Sequence, residues 1–242
     1  MRWLAGKGAD TAFPGVRMSK AKAVCAPTPH PPHSRTLSRL RRFHGPDARP
    51  MLEVETTYES ARMKQPQAEL QVEVHPLTPQ RWPDFEKLFG RNGACAGCWC
   101  MWWRLPAATW RARKGEGNRK AMQRLVKAGA RPGLLAYADG QAVGWCAVAP
   151  REEYPRFATS RVLKPVDDQP VWSVTCFFIA RVYRRRGITR QLLDAAAEFA
   201  MRQGGTILEG YPVEPRRDQP DAFVYTGLAS AFRKAGFDEV AR

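Results

Sequence analysis

The stretch that most constrains this chain runs from Val171 to Arg190, VWSVTCFFIARVYRRRGITR. Val171 to Ala180 is almost wholly apolar and reads as a strand buried on both faces. A helical stripe of Ile188, Leu192, Ala196 and Phe199 opens directly after Gly187 and predicts a helix over 187–203. Three consecutive arginines stand between strand and helix. A helix N-terminus carries partial positive charge, so cations there lie against the field. Arg184, Arg185, Arg186 and Arg190 all crowd that end. The arrangement becomes favourable if an anion with several charges sits among them and shares the unpaired amides of the first turn. Strand, basic glycine turn and helix start, in that order, describe a pyrophosphate site. A solvated basic turn is the plain alternative.

Other elements follow along the chain. LQVEVHPL, from Leu70, reads as a short strand. Pro79 to Leu88 reads as a helix with Trp82, Phe85, Leu88 and Phe89 on one face. A loop rich in cysteine and tryptophan runs from Cys95 to Arg104. Asn118 suits the N-cap of a helix whose apolar face is Met122, Leu125 and Val126, with Gly129 at its end. LLAYA, Asp139-Gly140 and AVGWCAVAP make a hairpin signal. A polar loop, 151–169, leads to the buried strand. TILEGYPVEP reads as a further strand. The last helix is expected over 222–235, with Leu228, Ala231, Phe232 and Ala235 facing inward and Gly236 closing it. This order predicts an α+β (mixed α/β) domain around one sheet.

Residues 1–65 differ from the rest. Pro, Ser and His cluster, basic residues outnumber acidic ones, and no hydrophobic period survives. They read as a disordered extension. A basic nucleic-acid arm, a transit peptide and an upstream segment preceding a start at Met51 or Met63 all fit this composition. The folded domain is expected over 66–242. The formal net charge of +16 favours anionic partners: nucleic acid, a membrane surface or a phosphorylated small molecule. No apolar run is long enough to span a bilayer. Six cysteines without a secretory signal fit a reducing compartment, and the cytoplasm is the expected location.

Two motifs carry a resemblance. Arg184-Arg185-Arg186-Gly187-Ile188-Thr189 resembles the acetyl-CoA signature of the GCN5-related N-acetyltransferase (GNAT) superfamily: Gln or Arg, two residues, Gly, one residue, then Gly or Ala. Thr189 departs from it. Phe232, three residues, then Gly236-Phe237 is similar to the family's second motif. The resemblance covers about Leu70 to Arg242. It implies a mostly antiparallel sheet flanked by helices, with acetyl-CoA as co-substrate. The implied cofactor residues are Phe178, Ile179 and Ala180 on the strand edge, which pairs with the pantetheine amides. Arg184, Arg185, Arg186, Gly187, Ile188, Thr189 and Arg190 complete them at the pyrophosphate.

The implied acceptor pocket lies by the Cys95–Arg104 loop, with Trp99, Trp102 and Trp103 as its wall. Many members use a tyrosine four residues before the second glycine as general acid. This chain has Phe232 there, so Tyr225, two turns earlier on the expected helix, takes the role. The base is expected to be Glu209, directly or through water; a solvated, outward-facing carboxylate is its plain alternative. Cys95, Cys98 and Cys100 lack a local fourth ligand, so no metal is expected. The function implied is acetyl transfer to an amine, on a small molecule or peptide, by direct attack. The rival is a non-catalytic CoA-binding or nucleic-acid-binding protein on the same fold. Nucleic acid is not the expected partner, nor is a membrane; a homodimer is compatible with this reading.

Overall fold

A computed structural model describes residues 70–215 and 220–240; the expectation for 1–65 lies outside them. Five strands form one sheet in the order β1-β2-β3-β4-β5: Glu73–Pro76, Gly133–Ala138, Gln141–Pro150, Trp172–Ile179 and Leu208–Gly210. All neighbours are antiparallel except β4 and β5, which are parallel. Asp139 and Gly140 join β2 to β3 at φ of 48° and 71°, the left-handed pair a two-residue hairpin turn requires.

Helices cover both faces. On one, α4 (Ile188–Arg202) and α5 (Ala229–Lys234) bury Leu192, Ala196, Phe199 and Phe232 against Val148, Val174 and Phe177. On the other, α1 (Trp82–Phe89) and α3 (Glu116–Lys127) pack Phe85, Phe89 and Met122 against Leu135 and Trp145. Strand β3 therefore reads as an almost continuous buried run rather than an alternation.

Three expectations change. Asn118 is not an N-cap: it lies inside α3, fully buried, and its Nδ2 donates to the carbonyl of Gly97 at 3.0 Å. It ties the cysteine loop to the helix. A short helix not expected from the sequence, α2 (Ala107–Ala112), precedes it. The last helix starts at Ala229, not 222. Gly227 turns the chain at φ 96°, and Leu228 is held extended in a parallel bridge to Val213. Those two residues stop the helical stripe from running back through Tyr225. Beyond β5, only that bridge continues the strand expected over TILEGYPVEP.

Candidate active site

Two features open the sheet at its centre. Strand β4 pairs with β5 only over Trp172–Val174 and then runs on alone to Ile179. On its other side, Cys176 pairs with Ala147 and Val174 with Val148, so Thr175 is an extra, bulged residue. A bulge bends a strand and increases its twist. Past it, Ala180 donates to Val143 of β3, and Phe177 donates in the opposite direction, to the carbonyl of Tyr225 at 2.6 Å. Alternation aims Ile179 at that same open side. There Arg184 Nε donates to the Ile179 carbonyl at 2.9 Å.

The open edge ends at the basic turn. Gly187 caps α4 in the left-handed conformation, φ 79°, and offers no side chain to the first-turn amides. Arg185 is also left-handed, φ 62°. From Arg185 to Thr189 no amide donates to a backbone acceptor among the described residues. Leu70 runs alongside, its amide donating to the Arg186 carbonyl, and Gln191 clasps the backbone of Leu70 and Val72. Orphan amides, a glycine cap and arginines are what a pyrophosphate needs. Arg190 also reaches Asp194 one turn along α4.

The opposite side of the edge is built from the cysteine loop and the segment after β3. The loop is tightly coiled: Ala94, Ala96, Trp99 and Cys100 all have φ between 46° and 63°. Its tryptophans separate. Trp99 is buried and stacked on Phe89, and it borders a cavity of about 390 Å³ with Glu86, Arg91 and Arg119. Trp102 lies under the Arg156 guanidinium, 3.8 Å from its ring centroid. Trp103 stacks on Phe157.

Thiols of the loop and of β4 meet here. Cys100 Sγ donates to Cys176 Sγ at 3.4 Å, and Cys98 Sγ contacts the Gly93 carbonyl at 3.3 Å. The Cys100 thiol, and then the amides of Cys100, Cys95 and Cys98, lower the Cys98 pKa to about 6 against the opposing effect of burial. Burial drives Cys100 and Cys146 well up and raises Cys95. Among the described residues no group of three or more His, Cys, Asp or Glu is placed to hold a metal ion.

Glu209 is neither outward-facing nor solvated. It is 2% exposed, and its carboxylate accepts from Arg151 Nη1 and the Tyr211 hydroxyl. Arg151 also reaches the Leu163 carbonyl and lies over the Phe157 ring. Tyr211 is 3.0 Å from Ser173 of β4. Burial, and then the Glu209 charge, push the Tyr211 phenol well up, which keeps it a donor. Arg151, Glu209 and the 165–171 loop border a cavity of about 290 Å³. Tyr225 is half-buried in the loop before α5, beside Arg156.

The acetyltransferase (GNAT) family model matches residues 99–217. Residues 99–217 resemble a GNAT domain. Acetyl-CoA is the co-substrate of that family, and the turn before α4 fits it. Solved structures similar to this chain include the aminoglycoside N-acetyltransferase AAC(6')-Iy in complex with CoA, at 16% identity over 71% of this chain and 91% of that one, with a TM-score of 0.45. Aminoglycoside 6'-N-acetyltransferase AAC(6')-Ih from Acinetobacter baumannii is 19% identical over 71% and 94%, TM-score 0.42. A ribosomal-protein-alanine N-acetyltransferase from Brucella melitensis biovar Abortus 2308 is 17% identical over 71% and 93%, TM-score 0.39. A comparison with curated protein sequences finds no match. No helix of the described residues is long and apolar enough to cross a membrane.

In this domain the sequence reading missed Arg104, Arg151, Tyr154, Arg156 and Tyr211. The one local signal was the alternation of arginine and aromatic residues in REEYPRF, 151–157, where cations find ring faces.

Proposed function

We propose that the protein is an acetyl-CoA-dependent N-acetyltransferase working by direct attack on the thioester. One observation carries this reading: the lone edge of β4 leads straight into the glycine-capped, arginine-rich start of α4. The first can pair with an extended amide arm and the second with a pyrophosphate. The amine nitrogen attacks the carbonyl carbon, the C–S bond breaks, and the departing thiolate takes a proton.

Tyr225 is the candidate donor or acceptor-orienting hydroxyl, fixed over the open edge by its carbonyl on Phe177. Phe232 is fully buried and takes no part. Glu209 is better suited to anchoring than to free base catalysis, because its Oε1 already accepts from both Arg151 and Tyr211. The five described cysteines are all free thiols, which fits a reducing compartment such as the cytoplasm.

Calorimetry with acetyl-CoA, followed by thiol release across an amine panel, tests the reading. Acetyl-CoA should bind and raise Tm. Gly187→Asp adds a negative charge and a strained left-handed residue beside the pyrophosphate, and should weaken binding at least tenfold. Unchanged affinity in that variant refutes the cofactor site. Binding without turnover on any amine leaves the CoA-binding rival.

A further inference from the structure

We propose that the acceptor amine carries an oxyanion, a carboxylate or a phosphoryl group, recognised by Arg156 with Arg104 behind it. This deepens the acetyltransferase reading and rests on it. The segment Trp102–Leu105 clamps onto the segment Glu153–Phe157. Arg104 Nη1 donates to Glu153, and its guanidinium lies 4.8 Å from the centroid of the Tyr154 ring. Arg156 Nε donates to the Leu105 carbonyl at 2.9 Å, and its guanidinium lies over Trp102.

Both ends of the clamp meet β4 where it opens. The Tyr154 hydroxyl lies in the neighbourhood of Thr175, the bulged residue, and is itself buried without a hydrogen-bond partner among the described residues. Arg156 lies beside Tyr225, whose carbonyl holds Phe177, two residues further on. The guanidiniums therefore flank the stretch of β4 along which the thioester would lie.

Their hydrogen bonding is incomplete. The Arg104 side chain is only 5% exposed, yet its Nε and Nη2 have no hydrogen-bond partner among the described residues. Arg156 Nη2 is likewise buried without one, and Arg156 makes no ion pair among the described residues. Glu153, on the clamp itself, is already engaged by Arg104. Burial lowers the Arg156 pKa, with Tyr225 opposing and the like charge of Arg111 adding to the shift.

Buried N–H groups left unpaired are costly, and more so when charged. An incoming oxyanion supplies what both forks lack, in the geometry guanidinium favours. A polycationic acceptor would meet uncompensated positive charge instead.

The test uses matched pairs with the full chain: phenylalanine against phenylalaninamide, phosphoethanolamine against ethanolamine, and spermidine as the polycation. The anionic member of at least one pair should have the higher kcat/KM, by about 10- to 100-fold, as a charge-assisted hydrogen bond warrants. The better pair tells carboxylate from phosphoryl. Spermidine should be the poorest. Arg156→Met should collapse that preference at least tenfold with Tm and acetyl-CoA affinity preserved. Equal or reversed preferences, or a preference that survives Arg156→Met, overturn the proposal. Calorimetry of the same compounds on the CoA-loaded protein reads oxyanion recognition without turnover. Arg156-dependent binding with no acetylation would sink the catalytic reading and leave recognition standing. Absence of such binding and of acetylation sinks both.

Discussion

Removing Glu209 should first damage stability, and the size of the damage can be worked from its contacts. Its carboxylate and the Arg151 guanidinium form an ion pair with side chains 3% and 11% exposed. Taking away one partner of such a pair typically costs about 3–5 kcal/mol, because the other is left buried and uncompensated. In a domain of this size each kcal/mol moves Tm by about 2–4 °C. Glu209→Leu should therefore lower Tm by roughly 6–20 °C. Adding Arg151→Met should restore most of that loss, since well-packed apolar residues often replace a buried pair at little cost. Glu209→Gln retains one acceptor oxygen and should fall between. The assays are thermal melts of the two single variants and the double, with a pH–rate profile for Glu209→Gln. An unchanged Tm, together with turnover down by about 10²–10⁴ and the loss of one limb of the profile, would refute the anchor and establish a base.

Two further outcomes follow from the site. Tyr225→Phe should lower kcat by about 10²–10⁴ while acetyl-CoA affinity measured by calorimetry holds; a wild-type rate would leave backbone stabilisation and positioning as the whole mechanism. Iodoacetamide should label Cys98 first at pH 7, with a midpoint near its pKa of about 6, while Cys100 and Cys146 stay silent behind their raised values. Because the Cys98 pKa falls on folding, its contribution to stability is present at high pH and is lost as pH drops through about 6. Peptide mapping that finds Cys98 unlabelled at pH 7 refutes the thiolate.

Legibility from sequence tracked the range of the interactions. The β4–turn–α4 unit was readable because its signals are local: an apolar run, a glycine and a 3.6-residue stripe. The hairpin was readable from two residues, Asp139 and Gly140. The Arg151–Glu209 pair joins positions 58 residues apart, and nothing in either neighbourhood announces it. Glu209 was therefore assigned by its strand alone, and its alternatives, free base or solvated surface, both missed the buried pair. Trp99 was placed in a pocket by loop membership, and its aromatic partners on α1, Phe85 and Phe89, were not foreseen. The extra helical turns before Ala229 came from trusting Leu228 as an inward stripe residue. In the structure that side chain is 40% exposed, and Gly227 carried the true start signal.

The missing hydroxyl at Phe232 follows from what its ring does. A Cβ at Gly210 would lie 2.1 Å from Phe232 Cε1, and one at Gly227 would lie 2.7 Å from Cε2. The ring thus fills the space left by two glycines, edge-on to Phe177 and Phe237. It wedges the end of β5 where that strand stops pairing with β4. A phenol there would bring a hydroxyl into a fully enclosed apolar site, at the cost of an unmet hydrogen bond. The residue of the second motif that family members are expected to use for proton donation is here committed to holding the cleft open. Proton donation then falls to a group the wedge does not occupy. Tyr225 is the group we propose, two residues before Gly227 and hydrogen-bonded through its backbone to the same Phe177 that the Phe232 ring supports.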